Sequence, residues 1–228
     1  MAEDIANEIQ QMLKEAWGNF CDYHKKYAPE YPKLWEFNEK KAKESHWICW
    51  NEYDLMFHIG RHFYDILRKK KEDIYSNIEM HFEKNVNRNN FEDYEFEDRL
   101  GKLNKILNMK RGPKIDLIIA YESRNRPFLL CAEVKCFHSP AERYYKTAID
   151  KIREDIEKLK AIREYKIAQS VVFMLFDDYY WCTKGNEEKA NNIKHELERI
   201  EKEEGILVLP FTSEAKLEKY KQPMWVQT

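Results

Sequence analysis

The sequence predicts an α/β protein: a mixed β-sheet flanked by helices. Three observations carry that prediction. Residues 111–137 (RGPKIDLIIAYESRNRPFLLCAEVKCF) hold two apolar runs joined by a short polar turn, the pattern of an antiparallel hairpin. Residues 169–176 form a wholly apolar run, β-branched at its start, and read as a central strand. Amphipathic segments then alternate with strands, which calls for helix crossovers and parallel pairing.

Composition sets the frame. The 228 residues suit one domain, or one domain with an extension, and suffice for a real core. Charged residues make up 35% and apolar ones 43%, a globular balance rather than a disordered one. A net charge of −2 gives no bulk attraction to polyanions or membranes. A nucleic-acid partner would have to be held by local clusters, Arg68-Lys69-Lys70-Lys71 or Lys110-Arg111 with Lys114. The five cysteines, Cys21, Cys49, Cys131, Cys136 and Cys182, contain no CxxC pair, so neither a disulfide framework nor a zinc ribbon is indicated. The start, MAEDIANEIQ, is acidic and lacks the apolar stretch of a signal peptide. No apolar run approaches a membrane span, so the expected location is the cytoplasm, with no membrane partner.

The elements follow in order. Residues 3–24 place Ile5, Ile9, Leu13, Trp17 and Phe20 at helical spacing. Residues 28–45 carry Pro29 and Pro32 with Tyr31, Trp35 and Phe37, a bend followed by a further helical piece. Residues 1–49 are therefore expected to be a helical N-terminal extension packed on the core or on a second copy, and residues 50–228 the main domain. In the helix over 50–71, Leu55, Ile59, Phe63 and Ile66 form an apolar stripe. Glu52 stands three residues before Leu55 and seven before Ile59, at the head of that stripe and pointing inward. A first-turn carboxylate favoured by the helix dipole is the other reading.

His58 and His62 on the same helix stand four apart, a spacing able to chelate zinc. Ile59 occupies the place where HExxH needs its glutamate. Both histidines are expected on a solvated flank beside Asp54 and Asp65. Residues 77–83 alternate apolar and charged side chains, a half-buried strand. Phe96, Leu100, Leu103 and Leu107 predict a short helix after an Asn-rich loop.

Beyond the hairpin, Ser139-Pro140-Ala141-Glu142 is a capping box with proline at the first helical position. The helix it opens runs to Glu164, with Ile152, Ile156 and Leu159 inward and Arg143, Lys146, Lys151 and Lys158 on an outer face, expected to be solvated, with phosphate tracking the other reading. Residues 186–204 form another helix, stopped by Gly205. Residues 206–209 are a last short strand before Pro210.

The chemistry concentrates in the hairpin. Asp116 interrupts its first run, and Glu133 and Lys135 interrupt the second. Charges inside core strands need partners, a metal or a cavity. If Arg124-Asn125 form a two-residue loop, the register puts Asp116 opposite Glu133. Their Cβ atoms would then lie about 4.5–5.5 Å apart, and alternation adds Lys135 to the same face. Two carboxylates that close repel unless a cation lies between them or one is protonated. A divalent metal held by oxygen ligands is the natural reading.

The order helix, three strands, long helix, strand, with Asp116 in GPKIDLII and Glu133 and Lys135 in LLCAEVKCF, resembles the PD-(D/E)xK phosphodiesterase superfamily of restriction-endonuclease-like nucleases. The resemblance covers residues 50–176, with residues 186–209 as a sheet extension. Ile115 rather than proline precedes the aspartate, a departure from the literal pattern. ExK alone carries nothing, because Glu39-Lys41, Glu164-Lys166, Glu187-Lys189 and Glu214-Lys216 match it too. Only Glu133-Lys135 lies in an apolar strand opposite an aspartate.

The resemblance implies a restriction-endonuclease-like αβββαβ core and a metal-dependent nuclease that hydrolyses phosphodiester bonds, with DNA as the family's usual substrate. It implies that Asp116 and Glu133 hold Mg²⁺ or Mn²⁺, with the carbonyl of Val134 a further ligand. Glu52 would hold the metal directly or through water, and Lys135 would orient the attacking water or stabilise developing charge. A homodimer would fit a cut on both strands. Two other readings stand beside this one. The fold could be catalytically inactive and serve as a nucleic-acid-binding or assembly subunit, its charges paired for structure. A zinc hydrolase using His58 and His62 is the third.

Overall fold

The computed structural model describes residues 2–27, 52–70, 73–86, 94–110, 112–122, 127–137, 142–177 and 187–212. The helical piece expected over 28–45, the hairpin loop Arg124-Asn125 and the capping box before Glu142 lie outside the described residues. The elements are α1 (Ala2–Tyr27), α2 (Glu52–Leu67), β1 (Ile78–Asn85), α3 (Tyr94–Ile106), β2 (Lys114–Tyr121), β3 (Phe128–Phe137), α4 (Glu142–Glu164), β4 (Ala168–Asp177), α5 (Glu187–Glu204) and β5 (Leu207–Thr212).

The five strands lie in chain order. β2 runs antiparallel to both β1 and β3, whereas β3, β4 and β5 are parallel. The chain is thus α/β, with a five-stranded mixed sheet flanked by helices. β3 and β4 are nearly continuous apolar strands because helices cover both of their faces. Their alternation sorts the core in two. Leu130, Ala132, Val134, Val172, Met174 and Phe176 pack with α1 and α2. Cys131, Val171, Phe173 and Leu175 pack with α3, α4 and α5.

α1 is part of the first core and not an appendage. Its Leu13, Trp17 and Phe20 are fully buried, and the Trp17 and Phe20 rings meet Phe176 of β4. Burying a side chain of that size contributes about 1.5–3 kcal/mol, so the sheet face depends on this helix.

β5 differs from the expectation. It runs through Pro210 to Thr212, with Pro210 paired to Leu175. Among the described strands β5 is at the sheet edge, where a missing proline N–H costs no ladder bond on the open side. Helix α4 ends as a Schellman turn: Lys166 takes a left-handed φ of 52°, its N–H reaches Arg163 O and that of Ile167 reaches Ile162 O. No helix among the described residues is long and apolar enough to cross a membrane.

Candidate functional site

The register of the hairpin strands is the one a two-residue loop sets: Leu117 pairs with Ala132, Ile118 with Cys131 and Ile119 with Leu130. One step further lie Asp116 and Glu133, and there the ladder stops. The Asp116 carboxylate takes over, with Oδ2 accepting the Val134 amide at 2.9 Å. Two residues on, the amide of Cys136 points the same way and donates to Glu52 Oε1 at 3.4 Å, a long contact. β3 therefore outruns β2, and two acids fill the positions where backbone acceptors would have been. Backbone donors seldom go unpaired inside a protein, which explains why carboxylates are tolerated here. Glu52 reaches the same edge from the first turn of α2.

Glu133 and Lys135 alternate onto the α4 face of β3, where α4 supplies a partner for each. Lys135 Nζ lies 2.6 Å from Asp155 Oδ2. Lys158 Nζ lies 2.6 Å from Glu133 Oε2 and 3.5 Å from Asp155 Oδ1, and it donates to the Lys114 carbonyl at 3.0 Å. These side chains are enclosed: Lys135, Asp155 and Lys158 are 13–17% exposed and Glu133 1%. Among the described residues the buried Glu133 Oε1 atom has no hydrogen-bond partner. The Lys114 ammonium is itself bound to Glu83.

This corrects one expectation. Lys158 does not lie on a solvated outer face; it turns inward to the strand glutamate. Sequence reasoning did not single out Asp155 at all.

Charge decides what the cluster can do. Glu52, Asp116, Glu133 and Asp155 are four carboxylates against the two ammonium groups of Lys135 and Lys158, an excess of two negative charges. Burial pushes the Glu133 carboxyl well above the usual range, Asp116 adds to the push and Lys158 only partly offsets it. Burial also raises Glu52, against the pull of Lys135 and with a smaller push from Asp116. For Lys135 burial favours the neutral amine, but the Asp155 charge and hydrogen bond outweigh it and hold the ammonium.

Such a cluster relieves its excess by taking up protons or a hard cation. The donors are all oxygens, one of them a buried carboxylate oxygen without a partner, and they fit Mg²⁺ or Mn²⁺ by charge and donor type. Among the described residues no group of three or more His, Cys, Asp or Glu side chains is placed to hold a metal ion.

The remaining candidates separate from this site. His58 and His62 are half-buried and meet the Tyr23 ring of α1 at 5.7 and 6.3 Å between centroids. They belong to a helix–helix contact and not to the expected solvated flank. Of the basic clusters, Lys70 is drawn to Glu8 and the Tyr75 ring, and Lys71 and Arg111 lie outside the described residues. Cys131 and Cys136 are buried core residues, and burial pushes the Cys131 thiol well up. No protein-family model, no curated protein and no solved structure matches the chain.

Proposed function

We propose that the protein is a metal-dependent nuclease of the restriction-endonuclease-like fold, cleaving phosphodiester bonds in DNA. The observation that carries this reading is the gathering of four carboxyl groups with only two ammonium groups around Asp116 and Glu133, with Glu133 Oε1 left without a hydrogen-bond partner among the described residues. With α3 set aside as an insertion between β1 and β2, the order α2, β1, β2, β3, α4, β4 matches the αβββαβ core of that family, which supports the reading.

In this reading Asp116, Glu133 and the Val134 carbonyl would hold Mg²⁺ or Mn²⁺, and Glu52 would complete the set directly or through water. When bound, such an ion supplies Lewis-acid stabilisation of the phosphoryl oxygens and acidifies water. Lys135, kept protonated by Asp155, acts as a fixed positive charge for the phosphoryl oxygens and not as a base. Asp155 is a positioning residue, since it touches Lys135 and not the reacting atoms. Asp116 and Glu52 also fix the edge of β3 through its amides, so the acids and the strand carrying Glu133 and Lys135 are held as one unit.

The experiment is a cleavage panel of single-stranded, duplex, flapped and junction DNA plus RNA, with Mg²⁺ and with Mn²⁺. Lys135→Ala and Asp116→Ala are each expected to abolish divalent-dependent cleavage in folded protein. Full activity in either would sink the proposal. One observation favours a second reading, an inactive nuclease-like subunit: Lys158 already pairs with Glu133. A thermal shift on adding Mn²⁺ argues for the first reading, and its absence for the second.

A further inference from the structure

We propose that the Lys158 ammonium is a built-in counter-ion that holds Glu133 in the metal-free protein and yields when a divalent cation binds, so that α4 sets the metal affinity of the site. The inference rests on the metal site proposed above and deepens it.

Lys158 Nζ donates to the Lys114 carbonyl and stands at ion-pair distance from Glu133 Oε2 and, less closely, Asp155 Oδ1. That arrangement stabilises one oxygen of Glu133 and leaves the other without a partner. Asp116 is next to it in the register, on the neighbouring strand. One ammonium cannot neutralise both Asp116 and Glu133. A divalent cation between those two would, but it would bring further positive charge against Lys158, and like charges so near repel strongly in a poorly solvated place.

The geometry gives Lys158 a retreat. Its stem is long and flexible, it retains some exposure, and it can keep Asp155 and the Lys114 carbonyl while releasing Glu133. Lys135 does not compete for that carboxylate, because its contacts are to Asp155 Oδ2 and, at 3.4 Å, the Val134 carbonyl, and not to Glu133. Cation and ammonium thus compete for one carboxylate. Removing the ammonium should tighten metal binding, whereas a lysine that merely braced the site would weaken binding when lost.

The test is Mn²⁺ titration followed by the electron paramagnetic resonance signal of free Mn²⁺, on wild type, Lys158→Gln, Asp116→Asn/Lys158→Gln and the surface control Lys151→Gln. Lys158→Gln is expected to bind at least tenfold more tightly than wild type. The double variant should lose that binding, and Lys151→Gln should change little. Unchanged or weaker affinity in folded Lys158→Gln, with wild type binding, overturns this inference alone, as does equal tightening by Lys151→Gln. No Mn²⁺ binding by either wild type or Lys158→Gln overturns the metal site as well. Should Lys158→Gln fail to fold, reductive methylation of wild type read by mass spectrometry decides. Lys158 should be modified faster with Mn²⁺ than without, and Lys69 equally in both; an unchanged rate at Lys158 overturns the inference.

Discussion

Asp116 accepts the Val134 amide at 2.9 Å at the point where the β2–β3 ladder ends, so one side chain joins the strands and brings charge to the site. These two roles can be separated. Asn at position 116 keeps an acceptor for the amide and loses the charge. Asp116→Asn should therefore fold with near wild-type stability and lose divalent-dependent cleavage. Asp116→Ala should lose cleavage and also about 1–3 kcal/mol of stability, the cost of an unpaired buried amide. Urea denaturation of the two variants checks the difference; equal stability would show that the hydrogen bond is not needed.

Glu133 predicts a pH dependence. Its carboxyl in the folded protein lies well above the ordinary value of 4.5, through burial first and Asp116 second. The folded state then binds more protons than the unfolded one, so this contribution is fully present below 4.5 and is lost as pH rises towards the folded value. Glu52, raised by burial, acts with the same sign. In chelator, Glu133→Gln should gain stability relative to wild type as pH rises out of the acid range. Mn²⁺ should restore the wild type at neutral pH. A difference in melting temperature that stays flat with pH would contradict the assignment.

Glu196 predicts the opposite slope on the far side of α4. It is buried, and it accepts hydrogen bonds from Arg153 and Arg199. Burial alone would raise its carboxyl, but the two guanidinium groups outweigh burial and hold it below the usual range. That stability is present above 4.5 and is lost as pH falls through the folded value. Since both arginines keep substantial exposure, solvent screens these ion pairs. Glu196→Gln should cost about 1 kcal/mol or less at neutral pH and nothing in acid. Thermal melts across pH would show it.

The hairpin was legible because strands expose misplaced charge. With one face or both buried, an acid in an apolar run cannot be mistaken for surface, and the two-residue loop expected from the sequence predicts the observed pairing of Leu117 with Ala132 that carries Asp116 to Glu133. Asp155 was illegible only because the same question was not put to a helix. It lies three residues after Ile152, four before Leu159 and seven before Ile162, all fully buried, and so within the apolar stripe. Lys158 lies at the stripe's margin, where a long side chain can turn either way. Sequence spacing does not decide that; the buried Glu133 across the interface, which draws the ammonium inward, does. Pro210 misled for a different reason, since its effect depends on whether its strand has a neighbour on both sides.

Gly112 tests how β2 is delivered to the site. Its φ is +81°, and a Cβ there would lie 2.1 Å from the Val86 carbonyl oxygen, a backbone atom that is itself held where Val86 N–H donates to Pro113 O. Neither strain nor clash can be relieved by a rotamer change. Gly112→Ala should cost on the order of 1–3 kcal/mol and reduce cleavage by displacing Asp116, four residues on. Calorimetry gives the first effect. Wild-type stability in the variant would mean that the turn can be rebuilt freely.

Asp155→Asn is the sharpest test of the positioning role. The Asp155 carboxylate holds Lys135 Nζ at 2.6 Å and outweighs the burial that favours the neutral amine. An amide keeps a polar partner but removes the charge that fixes the ammonium, so the pKa of Lys135 should fall and its head group should lose its orientation. The variant should fold, bind Mn²⁺, and lose on the order of a hundredfold in kcat, the scale that misplacing a reacting group costs, with KM little changed. The ¹³Cε chemical shift of Lys135 against pH reports the lower pKa independently of activity. Asp155→Glu, which restores the charge on a longer stem, should recover part of the rate. A drop in kcat with an unmoved Lys135 titration would assign Asp155 to structure alone.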